Sequence, residues 1–291
     1  MKALTPAFHV QQIQGFAIHV LRSEEMELAV APELGAKIIS LKNLRTQREW
    51  LWHPQGPLKL FKNQPHDEFS ASPLVGMDEC LPTIAACAWR ERPLPDHGEL
   101  WNRSWTVDAA AWQNGVLTTR MKLKCSPLVF ERTIELRGQE AVMDYTLNNL
   151  SSSTEQYIWA LHPLLRLMEG DALELPESTR ARLPSATWLD DLSASPARNC
   201  AKIFARPVVD AWAAVKNEAQ GDRLEFAWDA KDHNTLGLWL TRGGWHGHHH
   251  FAIEPTNADD DSLAVAAARG ACGSIAARSS AQWRISLRVG L

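Results

Sequence analysis

Four short stretches concentrate the side chains able to move protons. Gly76-Met77-Asp78-Glu79-Cys80-Leu81-Pro82-Thr83 sets two adjacent carboxylates among apolar residues. The plain reading is a solvated turn. The apolar surroundings argue instead that Asp78 and Glu79 are held where they hydrogen-bond a ligand. Pro95-Asp96-His97-Gly98-Glu99-Leu100-Trp101 is a turn that presents the His97 imidazole, with Trp101 and Trp105 close in sequence. Tyr157-Ile158-Trp159-Ala160-Leu161-His162-Pro163 reads as a strand running into a histidine, followed by a proline that interrupts pairing. A histidine there is either a core residue or a catalyst. The fourth stretch runs from Gly243 to Thr256 and holds His246, His248, His249, His250 and Glu254. Glu254 follows Phe251-Ala252-Ile253 and precedes Pro255, so its carboxylate is partly desolvated. Such burial raises a carboxyl pKa unless a partner or hydrogen bonds keep it charged. Neighbouring histidines on a strand point to opposite faces, so at most His248 and His250 share a site. A metal would need a further carboxylate or imidazole, and none is assigned here.

The elements that position these groups read as strands. Leu117, Thr119, Met121 and Leu123 alternate with Thr118, Arg120, Lys122 and Lys124. Phe130, Ile134 and Leu136 alternate with Glu131, Thr133 and Glu135, and Met143, Tyr145 and Leu147 with Asp144, Thr146 and Asn148. Leu236, Leu238 and Leu240 share a face, as do Trp283, Ile285, Leu287 and Val289. A period of two marks half-buried strands. Asn114-Gly115, Arg137-Gly138 and Ser151-Ser152-Ser153 supply turns between them. The spacing from Trp105 to Trp159 predicts an antiparallel meander. The best helix candidate is Leu263–Ala277, weakened by Gly270 and Gly273. The pattern predicts an all-β chain, a large antiparallel β-sandwich with little helix. No linker divides residues 1–291, so one domain is expected. The Pro-rich piece Leu175–Arg198 reads as a surface excursion.

Composition narrows the chemistry. A net charge of -4 without a long basic run offers no footprint for nucleic acid or an anionic membrane surface. Five cysteines with no C-x-x-C pair argue against a disulfide framework or a four-thiolate zinc site. No apolar leader is visible in the first ten residues, and the cytoplasm is the expected location. Dinucleotide, P-loop, H-E-x-x-H and G-x-S-x-G motifs are absent, so no cofactor is expected. Thirteen Trp against two Tyr is unusual. Core packing accounts for most of them, and some are expected to line a cleft and stack on a sugar ring.

Taken in order, these stretches resemble the aldose 1-epimerase (galactose mutarotase-like) superfamily. Leu34–Leu41 and Glu49–Trp52 are similar to its early strands. Gly76–Thr83 is similar to the Asp-Glu-x-x-Pro-Thr stretch of one branch, Pro95–Trp105 to its Asp-His-Gly segment, and Trp159–Pro163 to its His-Pro segment. Ile253-Glu254-Pro255-Thr256 is similar to the segment that carries the family's catalytic glutamate. The resemblance implies a β-supersandwich and a metal-independent isomerase that interconverts the α and β anomers of a free sugar. It implies Glu254 as general base, His162 as general acid, and His97 at the ring oxygen or positioning the substrate. Asp78, Glu79, Trp101, Trp159, Trp245 and His248 are the expected substrate contacts. The chain departs from the family's Gly-Arg-x-x-Asn-Arg run, reading Val75-Gly76-Met77-Asp78-Glu79 there. Asp78 and Glu79 are expected to take over part of the missing arginine's role.

That chemistry needs one base and one acid. Both target oxygens are bonded to one carbon, so the Glu254 carboxylate and the His162 ring should lie within roughly 4–8 Å of each other. A carboxylate beside His162 would favour its imidazolium, giving a working pair near pH 6–7 and a bell-shaped pH profile. Three alternatives stay open. One is a non-catalytic carbohydrate-binding protein on the same sandwich. Another is a metal enzyme built on His246–His250. The third is a sugar-phosphate mutarotase, which requires a Lys or Arg cluster at the cleft mouth.

Overall fold

The computed structural model describes residues 7–189, 192, 198–231 and 233–290. Six strands carry the site: β1 (Lys37–Asn43), β2 (Met77–Cys80), β3 (Ala160–Pro163), β4 (Asn199–Ala205), β5 (Thr235–Arg242) and β6 (His249–Thr256). They belong to a ten-stranded sheet. It starts at the edge strand Ala7–Ile13, passes through Phe16–Arg22 and Met26–Ala31, and continues in the order β1, β2, β3, β6, β5, β4. The pair Arg48–Glu49 attaches to β1. All these neighbours pair antiparallel.

An eight-stranded sheet packs against its inner face. Its order is Asp171–Glu174, Trp212–Asn217, Asp222–Trp228, Ser280–Gly290, Glu140–Asn149, Leu128–Arg137, Leu117–Lys122, Thr106–Val107. Alternation fills the space between the sheets as predicted. Leu236, Leu238, Leu240, Phe251 and Ile253 meet Phe130, Met143, Phe226, Ile285 and Leu287 in one buried apolar cluster. Eight of the thirteen Trp side chains are buried, so packing does account for most of them.

The expected meander holds from Thr106 to Asn149. Glu155–Tyr157 then leaves it to pair with Gly273–Ile275. That pairing takes up residues assigned above to a helix over Leu263–Ala277. The helix stops at Ala268. Gly270 adopts a left-handed φ of 65°, and the Gly270 and Ala271 amides bond back to Ala267 and Ala266. A glycine in that conformation closes a helix C-terminus. Of the stretch Leu175–Arg198, residues 190, 191 and 193–197 lie outside the described residues, as do residues 1–6 of the N-terminal stretch. Among the described residues no helix is long and apolar enough to cross a membrane.

Candidate active site

Glu254 and His162 lie on adjacent strands. Ala160 of β3 pairs with Thr256 of β6, and further along Leu165 pairs with Phe251. Both pairs belong to one register, which sets His162 opposite Glu254. Leu165 and Phe251 exchange both backbone hydrogen bonds, at 2.7 and 3.1 Å. Three residues on, His162 and Glu254 occupy a non-hydrogen-bonded pair position, where Cα atoms stand about 4.5 Å apart and side chains are close. Pro163 and Pro255 flank them at positions whose amides would otherwise join the ladder, and proline has none to give. On β3 and β6 the odd-numbered residues from Leu161 to Leu165 and from Phe251 to Pro255 face the core. His162, Leu164, His250 and Glu254 therefore face outward, away from the eight-stranded sheet.

That outer face is roofed by loops into a cavity of about 120 Å³, lined by Phe69, Ile84, His97, His162, Leu164, Lys202, Trp239, Trp245, His250, Glu254 and Asp261. Phe69, Ile84, His97 and Asp261 arrive from the connections between strands. Ile84 and Ala85 donate backbone hydrogen bonds to the Asp261 carbonyl, and His97 donates its backbone N–H to the Ile84 carbonyl. Gly98 makes the turn beside His97 possible. It has a φ of 68°, and a Cβ there would sit 1.9 Å from the Leu81 carbonyl oxygen. His97 itself takes a φ of 56°.

The carboxylate of Glu254 is fully buried. One oxygen, Oε2, accepts from the Lys202 Nζ at 2.7 Å, and Lys202 also lies 2.9 Å from Asp261 Oδ1. The other oxygen, Oε1, has no partner within the chain. Burial pushes the Glu254 carboxyl above its ordinary value, against the opposing pull of Lys202. Burial works against the Lys202 ammonium too, but Glu254 and Asp261 outweigh it and raise its pKa. Gly237 lies opposite Glu254 on β5, and a Cβ there would stand 3.3 Å from the Glu254 Cβ and 3.4 Å from Oε2. The bare glycine leaves the carboxylate its position.

His162 is 7% exposed, and its Nδ1 has no partner within the chain. Burial drives its pKa well below the ordinary value, and the positive charges of Lys202 and Lys37 add to the effect. This corrects the expectation of an imidazolium at neutral pH. The carboxylate across from it is already matched by Lys202, so the ring rests neutral. His97 meets His162 edge to face, with centroids 5.1 Å apart, and stacks on Phe69 at 4.2 Å. Its Nδ1 bonds Asp96 Oδ1 at 2.8 Å, while Asp96 Oδ2 accepts from the Phe69 amide at 2.8 Å. Burial alone would raise the Asp96 pKa, but the hydrogen bonds from His97 and Phe69 lower it. A carboxylate at Nδ1 holds the proton there and leaves Nε2 as the nitrogen free to act.

The expected substrate contacts divide. Trp245 lines the cavity. His248 does not line it; it stands beside Trp52 and Trp245, with centroids 5.0 and 5.6 Å away. Trp101 is buried under Phe69 and donates its indole N–H to the Asp96 carbonyl at 2.9 Å, which braces the His97 turn. Asp78, Glu79 and Trp159 also lie outside the cavity lining. Asp78 is buried against Lys37. Glu79 is buried between Arg132, at 2.7 Å, and the Trp159 indole N–H, at 2.9 Å. Each acid is paired with a cation from another strand, and neither lines the cavity.

Sequence reasoning missed Lys202, Asp261, Phe69 and Trp239, and it weighed His250 only as a possible metal ligand. The need for a partner at Glu254 was visible, but nothing local names Lys202, which lies 52 residues away. Among the described residues no group of three His, Cys, Asp or Glu side chains is arranged to hold a metal ion.

No protein-family model and no curated protein matches the chain. Solved structures do. The chain is similar to a galactose mutarotase-like protein from Clostridium acetobutylicum, with a TM-score of 0.72 and 13% identity over 98% of this chain and 99% of that one. It is similar to a galactose mutarotase related enzyme from Lactobacillus acidophilus, with a TM-score of 0.70 and 13% identity over 94% and 97%. A protein from Klebsiella pneumoniae provisionally named an aldose 1-epimerase gives a TM-score of 0.74 and 15% identity over 99% and 85%. At such identities the likeness concerns architecture, and by that measure the chain has the galactose mutarotase-like fold.

Proposed function

We propose that this protein is a metal-independent aldose 1-epimerase acting on a free monosaccharide. One observation carries the reading: a carboxylate and an imidazole stand opposite each other on neighbouring strands and open into one cavity. Facing side chains on adjacent strands suit the two oxygens borne by one anomeric carbon. Glu254 Oε1, the unpartnered oxygen, takes the proton of the C1 hydroxyl. The C1–O5 bond breaks, C1 becomes a carbonyl carbon, and O5 takes a proton from the neutral His162 imidazole, which is left as an imidazolate carrying the charge that Glu254 gave up. Rotation about C1–C2 turns the other carbonyl face to O5. Ring closure then reverses both proton transfers, and no atom is gained or lost.

His162 acts here as a neutral N–H donor, a role open to imidazoles whose surroundings disfavour the charged form. His97, fixed by Asp96, reaches the same ring from the loop side. Lys202 keeps one carboxylate oxygen of Glu254 occupied and leaves the other for the sugar. The apolar walls, Phe69, Trp239 and Trp245 among them, suit the C–H faces of a sugar. Lys202 is the only Lys or Arg among the described cavity residues, and it is engaged by two carboxylates. That favours an uncharged sugar over a sugar phosphate.

Proton NMR exchange between anomer signals, across free hexoses, pentoses and sugar phosphates, tests the proposal. Accelerated exchange of at least one free sugar is expected. Absence of acceleration for every sugar would leave only binding on this fold.

A further inference from the structure

The mechanism leaves one polar group in the cavity without work. His250 is 1% exposed, lines the cavity, and has no hydrogen-bond partner within the chain at either ring nitrogen. Trp52 and Trp245 flank its ring, with centroids 5.1 and 5.9 Å away. It lies on the same face of β6 as Glu254, with Ala252 between them. Four residues along a strand separate the two Cα atoms by roughly 13 Å, so the two side chains approach a ligand from opposite ends of the cavity.

We infer that His250 recognises hydroxyl groups on the part of the sugar ring remote from the anomeric carbon and thereby sets which sugars are accepted. The inference rests on the mutarotase reading for the identity of the reacting end. Its own support is geometric. A buried polar group without a partner is destabilising, and a bound partner removes that penalty. Burial pushes the His250 pKa down to about 3, so the ring is neutral and offers one donor and one acceptor. A hydroxyl is itself donor and acceptor, so it satisfies either nitrogen, and two adjacent hydroxyls satisfy both. A carboxylate or phosphate, which only accepts, would leave the acceptor nitrogen unmet. The indole walls hold the imidazole plane, which makes the recognition directional.

The test uses the full chain with D-glucose, D-galactose, D-xylose and their 2-, 3- and 4-deoxy analogues. Anomer exchange is followed by NMR, and KM and kcat are separated. His250→Leu should raise KM for the preferred sugar roughly 10- to 100-fold, with a much smaller change in kcat. It should also lose the discrimination that the unmodified protein shows against one deoxy analogue. His250→Gln, which restores a donor and an acceptor, should recover part of the affinity. Unchanged KM and unchanged discrimination in His250→Leu overturn the inference and leave the mutarotase reading standing. Should the unmodified protein exchange no sugar, that reading fails by itself. The His250 inference is then decided by titrating ¹⁵N-labelled protein with the same sugars. A shift of the His250 ring signals supports it, and unmoved signals overturn it. The same titration decides the matter if His250→Leu does not fold.

Discussion

His162 and Glu254 face one another across β3 and β6, with the register fixed on both sides of the pair. Substituting Glu254 by Gln keeps the shape and removes the carboxylate proposed as the base. Anomer exchange should fall by at least 10²–10⁴-fold, measured by NMR line exchange at neutral pH. A rate near that of the unmodified protein would show that proton abstraction occurs elsewhere.

The pH profile follows from the two shifts. Glu254 is raised above its ordinary value, so the carboxylate is present above that raised pKa and lost as pH falls through it. His162 is lowered, so it is already neutral there. The rate should rise once with pH, with a midpoint above 4.5, and then level off. A falling limb near pH 6.5 would instead assign the acid to an imidazolium.

Lys202 holds the charge of Glu254. Replacing it by Met removes a cation that favours the carboxylate, so the Glu254 pKa rises further and the midpoint of the profile moves to higher pH. A buried charge left alone is strongly destabilising, by about 3–5 kcal/mol, which urea unfolding would read. A midpoint that stays in place would separate Lys202 from the working carboxylate.

Gly237→Ala tests how closely the carboxylate is set. The added methyl meets Glu254 at 3.3–3.4 Å and displaces it by a few tenths of an ångström. The exchange rate should fall, though by less than the roughly 10²-fold associated with a 1 Å misplacement. Unfolding in urea should change little.

Glu79 gives the converse case. Arg132→Met leaves the Glu79 carboxylate buried without its cation and should destabilise the fold by about 3–5 kcal/mol. The sugar affinity of the protein that remains folded should be unaltered, because neither side chain lines the cavity.

Much of this architecture was legible. Alternation over Phe130–Leu136, Met143–Leu147 and Leu236–Leu240 identified strands and their core faces, because a period of two is written locally. Glu254, His97 and His162 were legible as reactive groups, and the structure brings them to one cavity. Their partners were not, because sheet order decides which strands meet. Asp78 and Glu79 were legible as acids held among apolar residues, but their partners, Lys37, 41 residues away, and Arg132, 53 residues away, were not. One signal was available: Arg132 sits at a core-facing position between Phe130 and Ile134, and a cation on an apolar face requires a buried acid. Phe69 and Asp261 come from loops, where no periodicity constrains position.

Lys202 rides on β4, the terminal strand of its sheet among the described residues. Outermost strands open locally at lower free energy than interior ones. An opening of that strand would withdraw the ammonium from Glu254. The proton affinity of Glu254 is thereby coupled to how firmly that border of the sheet is held.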